Sequence, residues 1–333
     1  MPAPILILGQ GLAGSMLAWE FERAGIDFEI VDRGHAGASS RIGAGIINPI
    51  TGQRIVKSWR IDELLAPALA VYREMEAALS VKLMRPMRVR RFFHDDRERR
   101  IFADKSVSGE LAPYAGAVTD EGFWIKGAAQ VDSAALIAGM RGRLLVAGRL
   151  REENEALSRA LSRYDVVILC TGASVAPEAA EAFAFANLQP AKGETLTVET
   201  PGDLEPDVIL NAGHWLLPLG NGRARVGATF EPGVSDLTTT AEARAALEKS
   251  TAQFLPDGFT VVAQEAGLRM TSPDKHPVVG RSPFDQRLGL FNGLGSKGAL
   301  LAPGLARQWV NHLTEAVPFD PAVDVRRFAK RVG

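Results

Sequence analysis

The sequence predicts an α/β fold: a discontinuous Rossmann-type dinucleotide-binding domain into which a β-rich α+β substrate domain is inserted. Three observations predict it. The chain opens with an apolar run, a glycine loop, a helical stretch and a second apolar run ending in an acid. A further apolar strand, Val166-Val167-Ile168-Leu169, stops at Cys170-Thr171-Gly172-Ala173. A last glycine cluster at 293–298 opens a helix, while the sequence between these nucleotide-type signals is β-like. Signals at both ends around a β-rich middle place 1–60, 129–185 and 263–333 in the nucleotide domain and 61–128 and 186–262 in the substrate domain.

Each element follows from its pattern. Pro4-Ile5-Leu6-Ile7-Leu8 is continuously apolar, as a strand buried on both faces of a parallel sheet must be. A helix follows over 15–24 and closes on Gly25, then a strand Phe28-Glu29-Ile30-Val31 ends at Asp32. After a Gly/Ser-rich stretch at 34–52 comes a helix over 61–79. Strands fit 87–93 and 123–126, a helix 131–139, and strands 194–198, 208–211, 215–219 and 223–229. A helix over 241–254, strands at 260–267 and 288–291, and a helix over 299–313 complete the chain.

Composition removes several classes. The chain has 333 residues, enough for about two domains and a large core. Its 38 basic and 39 acidic residues carry no global nucleic-acid signature, so nucleic acid is not the expected partner. From Lys82 to Arg100 there are eight basic residues against three acidic, but Met87 to Phe93 partly alternates, as a strand with one solvated face does. The single cysteine, Cys170, and five scattered histidines exclude a disulfide framework and argue against a metal site. No apolar run reaches the roughly 18 residues of a membrane span, and the opening apolar stretch is too short for a signal-peptide core. The expectation is a cytoplasmic protein without a membrane partner.

The glycine loop Gly9-Gln10-Gly11-Leu12-Ala13-Gly14 has a physical logic. Gly9 permits the turn out of the strand, Gly11 lets the backbone approach a pyrophosphate, and Gly14 lets the helix pack on the strand. The phosphate then rests on free N–H groups at the helix N-terminus, near Leu12 and Ala13. Asp32, 18 residues past Gly14 and followed by Arg33, can accept hydrogen bonds from a ribose. This fingerprint alone does not separate NAD from FAD. A second backbone-exposing segment, Gly37-Ala38-Ser39-Ser40-Arg41-Ile42-Gly43-Ala44-Gly45, and the late cluster Gly293-Leu294-Gly295-Ser296-Lys297-Gly298 fit a long cofactor lying extended.

At these residues the sequence resembles the D-amino acid oxidase family of FAD-dependent oxidoreductases. The resemblance covers most of the chain. It is carried by the opening fingerprint, the Ser39-Ser40 to Gly45 loop, Ala128-Ala129-Gln130-Val131-Asp132 and Val166 to Ala173. Also matching are Trp215-Leu216-Leu217-Pro218, Val226-Gly227-Ala228-Thr229, Gly267-Leu268-Arg269-Met270-Thr271-Ser272-Pro273-Asp274 and the 293–298 cluster. It implies an FAD-binding domain, with Thr171 and Gly172 against the adenine half. The stretch at 146–164 departs by being short and partly helix-like. The histidine or cysteine that carries a covalent flavin in some relatives has no counterpart here, so FAD is expected to be non-covalent.

The resemblance also implies a chemistry: a small-molecule amine gives a hydride from its α-carbon to flavin N5, and the resulting imine hydrolyses. Arg269 falls where such enzymes hold a substrate carboxylate; a structural ion pair is the competing reading. Lys297 is either a cation at the flavin or substrate, or a solvated lysine. Trp215 is either an aromatic wall or a core residue. Ser296 stands where glycine oxidase has a second arginine, which resembles instead the FAD domain of the tRNA wobble-uridine modification enzymes. Two further readings follow: demodification of an aminoalkylated tRNA base, and flavin binding without turnover.

Overall fold

A computed structural model describes residues 5–34, 39–174 and 177–331. Pro4, Gly37 and Ala38, which the sequence reading used, lie outside the described residues.

The opening strand Ile5–Leu8 pairs in parallel with Phe28–Val31 on one side and Val167–Leu169 on the other. The sheet extends to Leu150–Arg151 beyond the former and to Leu288–Asn292 and Val278–Arg281 beyond the latter. Period-two alternation explains its continuous apolarity. Ile7, Ile30 and Ile168 pack into one core, whereas Leu6, Leu8, Val31, Val167 and Leu169 pack into another on the opposite face. The first face carries the helix Leu12–Ala24, which packs against Gly298–Glu315 and Ser133–Val146. The helix begins at Leu12 rather than Ser15, directly after an extended Gly11, because Leu12 and Ala13 are already buried in the core.

A second, larger sheet is mostly antiparallel. Its order is Glu231–Pro232, Gln189–Glu199, Arg223–Gly227, His214–Gly220, Val208–Ala212, Met84–Phe92, Gly122–Val131, Ile46–Ile47. The strand Thr260–Thr271 pairs with Gln189–Glu199 along its length, so it runs four residues beyond the expected end at Gly267 and carries Arg269 within the sheet. Leu196, Val226 and Leu216 lie in register on one face, packed with Leu247 of the helix Ala241–Phe254. Thr195, Gly227 and Trp215, one residue along each strand, therefore point to the other face.

The middle contains helices that the β-like reading of it did not anticipate, the short Pro177–Ala182 and the longer Asp96–Val107. The longer one is charged. Asp95 caps it, its side chain accepting from the Glu98 N–H at 2.8 Å. Only Glu98 and Phe102 of the helix are buried, so its sequence has little apolar periodicity to announce it.

Candidate active site

The two sheets face each other across a cleft of about 540 Å³. The glycine loop forms one end. Gly9 has φ +99°, and a Cβ there would lie 2.7 Å from the Cys170 carbonyl oxygen. A Cβ on Gly14 would collide with the Gly9 carbonyl. Gly14 does not line the cleft; it serves the close contact of helix and strand. Gly11 differs: nothing comes nearer than the Ser40 Oγ at 4.0 Å, so a side chain there would enter the cleft and meet only what binds in it.

Asp32 also lines the cleft, and its carboxylate braces the loop. It accepts from the Gln10 N–H at 2.8 Å, the Gly34 N–H at 2.9 Å and the Arg141 guanidinium at 3.2 Å. Gln10, fully buried, donates to Ser15 Oγ and to the Ile137 carbonyl. This brace was not visible in the sequence, which assigned Gln10 no role.

Along the wall lie Leu12, Ala13, Arg33, Ser39, Ser40, Gly43, Ala44 and Gly45. Arg41, expected with them, is exposed and does not line the cleft, because the short helix Ser39–Ile42 turns it outward. Gly45, at φ +64°, has no room for a Cβ against the Val131 carbonyl. Thr171 and Gly172 line the same end, joined by Glu153 and Asn154 from the segment that departs from the family pattern.

The helix Gly298–Glu315 also opens at the cleft, its first residue close to the Leu12 side chain. Leu294, Gly295, Ser296 and Gly298 line it; Gly293 and Lys297 do not. Gly293, at φ +71°, packs tightly on Val278. Lys297 is half-buried beside the cleft, and burial pushes its ammonium below the usual lysine range. Neither Leu12–Ala24 nor Gly298–Glu315 is capped by its own N-cap side chain, though the Leu12 N–H donates to Ser40 Oγ at 3.4 Å, and both helix N-termini face one cavity.

The large sheet supplies the facing wall. Trp215 and Arg269 both line it. Glycines make room for both: a Cβ on Gly227 would lie 2.8 Å from the Trp215 ring, and one on Gly193 would lie 2.7 Å from Arg269 Cζ. The Arg269 guanidinium donates to the Thr229 carbonyl at 3.1 Å and lies 5.7 Å from the Phe230 ring centroid. Among the described residues no carboxylate comes within salt-bridge distance of it, and burial pushes its pKa down. The ion-pair reading of Arg269 therefore has no partner there. Gly193, Gly227 and Thr195 were missed by sequence reasoning. The tripeptide Lys192-Gly193-Glu194, a glycine between charges in a strand, was the one signal available for the first.

The donor set fits a dinucleotide with a flavin. A glycine cradle that excludes only a ligand, two helix N-termini and the buried, unpartnered Thr171 hydroxyl occur along one cleft.

Comparison with known proteins agrees. The family model described as FAD dependent oxidoreductase matches residues 4–311. The glycine oxidase of Pseudomonas putida is 25% identical over 362 aligned positions, spanning 97% of this chain and 98% of that protein. The tRNA 5-methylaminomethyl-2-thiouridine biosynthesis bifunctional protein MnmC of Maricaulis maris is 27% identical across 95% of this chain, which covers 52% of that longer protein. The crystal structure of glycine oxidase from Geobacillus kaustophilus shares the fold, with a TM-score of 0.76 at 22% identity over 96% of this chain and 97% of that one.

Proposed function

The chain belongs to the family of FAD-dependent oxidoreductases, and from that premise we propose that it oxidises a small amino acid at its carbon–nitrogen bond. The observation that carries this reading is Arg269: a half-buried guanidinium in the cleft wall with no carboxylate partner among the described residues. A cation drawn partly out of water is disfavoured unless it is paired, so the cleft suits an anion that arrives with the substrate. A carboxylate suits the planar fork.

The cofactor is FAD. Cys170 is the thiol lining the cleft; it is buried and pushed toward its neutral form, and no histidine lines the cleft among the described residues, so FAD is held non-covalently. When bound, FAD supplies the acceptor for the hydride that leaves the substrate's α-carbon. The chain's own residues do the rest. Asp32 would offer its carboxylate to the ribose, and the N-terminus of Leu12–Ala24 would hold the pyrophosphate. The N-terminus of Gly298–Glu315 offers backbone donors and a positive dipole end to negative charge. Trp215 and Leu237 give the facing wall an apolar surface. We assign the parallel sheet to the cofactor and the large sheet to the substrate.

Part of the basic stretch at 82–100 is paired within the fold: Arg88 with Asp207 and Glu205, Arg90 with Glu121, and Arg91 with the buried Glu98.

The test is to purify the holoenzyme and follow flavin bleaching without oxygen on adding glycine, sarcosine, D-alanine, L-proline and, as controls, the corresponding amines without a carboxylate. Amino acids are expected to bleach it and the controls to lag. Arg269→Ala should leave FAD content normal and cost about 2–5 kcal/mol in transition-state binding. That is roughly thirty- to several-thousand-fold in kcat/KM, mostly through KM. Arg269→Lys should recover only part. Equal bleaching by the controls, or full kcat/KM in Arg269→Ala, would overturn the reading.

A further inference from the structure

The cleft also holds a buried polar group that the fold leaves without a partner. Thr195 is 4% exposed and lines the cleft. Among the described residues its Oγ1 has no hydrogen-bond partner. A buried hydroxyl without a partner is disfavoured, so its bond is expected to come from what the cleft binds.

Register says where this group acts. On the strand Gln189–Glu199, Gly193 and Thr195 share the cleft face, while Glu194 and Leu196 point to the other. The Arg269 guanidinium lies over Gly193, and Trp215 lies beside Thr195 across Gly227. Two residues along a strand span about 7 Å. The hydroxyl and the guanidinium are therefore separated by roughly that distance along one wall. Two hydrogen bonds of about 3 Å each, plus the roughly 3 Å between carboxylate and nitrogen on one carbon, bridge such a gap when bent. A nitrogen placed one or two carbons further out would have to bend further to fit the same gap.

We propose that Thr195 is the second polar anchor of the substrate, accepting a hydrogen bond from the amino nitrogen of an α-amino acid whose carboxylate is held by Arg269. This rests on the functional reading above and narrows it to α-amino acids.

The test uses holoenzyme and the variants Thr195→Val, which keeps the shape and loses the hydroxyl, and Thr195→Ser, which keeps the hydroxyl. Glycine, D-alanine and L-proline serve as substrates, β-alanine as the longer-spaced comparison, and acetate as a nitrogen-free probe read by perturbation of the flavin spectrum. Thr195→Val should lower kcat/KM for the α-amino acid that reduces the wild type by about tenfold. It should leave acetate binding within about twofold and FAD content unchanged, and Thr195→Ser should restore the rate. Arg269→Ala should weaken acetate and amino acid alike. Unchanged kinetics in Thr195→Val, an equal loss for acetate, or loss of FAD (which would place the hydroxyl on the cofactor) each overturn the proposal while leaving the amino-acid reading intact. A wild-type flavin that no amino acid reduces removes both.

Discussion

The two ends of the cleft use glycine for opposite purposes. At the nucleotide end, Gly9 and Gly14 are demanded by the protein's own backbone: a Cβ would strike the carbonyls of Cys170 and Gly9. At the substrate end, Gly193 and Gly227 leave room for side chains, the Arg269 guanidinium and the Trp215 ring. The first kind holds the fold together. The second kind seats the groups that meet a ligand. Substitutions at the two ends should therefore fail differently, one by loss of structure and the other by displacement of a functional group.

The largest expected effect lies at the nucleotide end, and it separates two glycines only three residues apart. Gly14→Val puts a branched side chain against the Gly9 carbonyl, where neither backbone has slack. It should give insoluble protein or lower stability by more than about 4 kcal/mol. Gly11→Leu meets no protein atom within 4 Å other than Ser40 Oγ for its Cβ. Its apoprotein should melt close to wild-type apoprotein yet take up no FAD. Thermal melts of both apoproteins, with and without added FAD, distinguish the two roles. A Gly11→Leu protein that holds FAD normally would break the contrast.

A smaller effect is expected at Gly193. A Cβ there forces the Arg269 guanidinium aside and sits 2.8 Å from the Thr229 carbonyl that accepts its hydrogen bond. The carbonyl is itself held, because the Thr229 N–H donates to the Glu194 carbonyl at 3.2 Å and Thr229 Oγ1 accepts from the Glu194 N–H at 2.9 Å. The arginine must give way first. Gly193→Ala should keep its fold and FAD, and lose on the order of a hundredfold in kcat/KM for a carboxylate substrate, the cost of misplacing an anchor by about 1 Å. Steady-state kinetics beside the FAD absorbance ratio checks it; a Gly193→Ala enzyme with wild-type kcat/KM would show that the guanidinium over Gly193 is not the working position.

The same contrast explains what the sequence made legible. The nucleotide end is local: strand, loop, helix and acid fall within residues 5–32, and periodicity and glycine spacing reveal them. Ile61–Leu79, a helix with a strong apolar stripe, ends where the pattern ends. Asp96–Val107 escaped because its charged face dominates. The substrate end is assembled by register among Gln189–Glu199, His214–Gly220, Arg223–Gly227 and Thr260–Thr271, so Thr195, Gly227 and Trp215 meet only once the strands are paired. Arg269 was found through resemblance, and its seat on Gly193 was not. Lys297 stands inside the same late motif, and the turn into the helix sets it beside the cleft rather than in its lining, a direction that spacing cannot encode.

The smallest expected effect concerns pH and belongs to the substrate end. His214 stands next to Trp215 but on the opposite face of its strand, with Nδ1 2.7 Å from Ser250 Oγ on the helix Ala241–Phe254. Burial pushes its imidazole below the usual histidine range. The folded state therefore favours the neutral ring, whereas the unfolded chain protonates near pH 6.5. The sign follows: this contribution to stability is complete above about pH 6.5 and is lost as the pH falls from there toward the lower folded value. His312 is pushed down by burial as well, so removing His214 removes only part of the loss. His214→Gln keeps a polar group for Ser250 and cannot protonate. Between pH 7.5 and pH 5.5 its Tm should fall less than that of the wild type, by a margin under about 2 °C, because His214 is only half-buried. Hydrogen exchange at pH 5.5 should slow in His214–Gly220 and stay unchanged in Ile5–Leu8 and Phe28–Val31. A variant whose Tm falls as much as the wild type's, or one that slows exchange in the opening strands equally, would dissolve the distinction between the two ends.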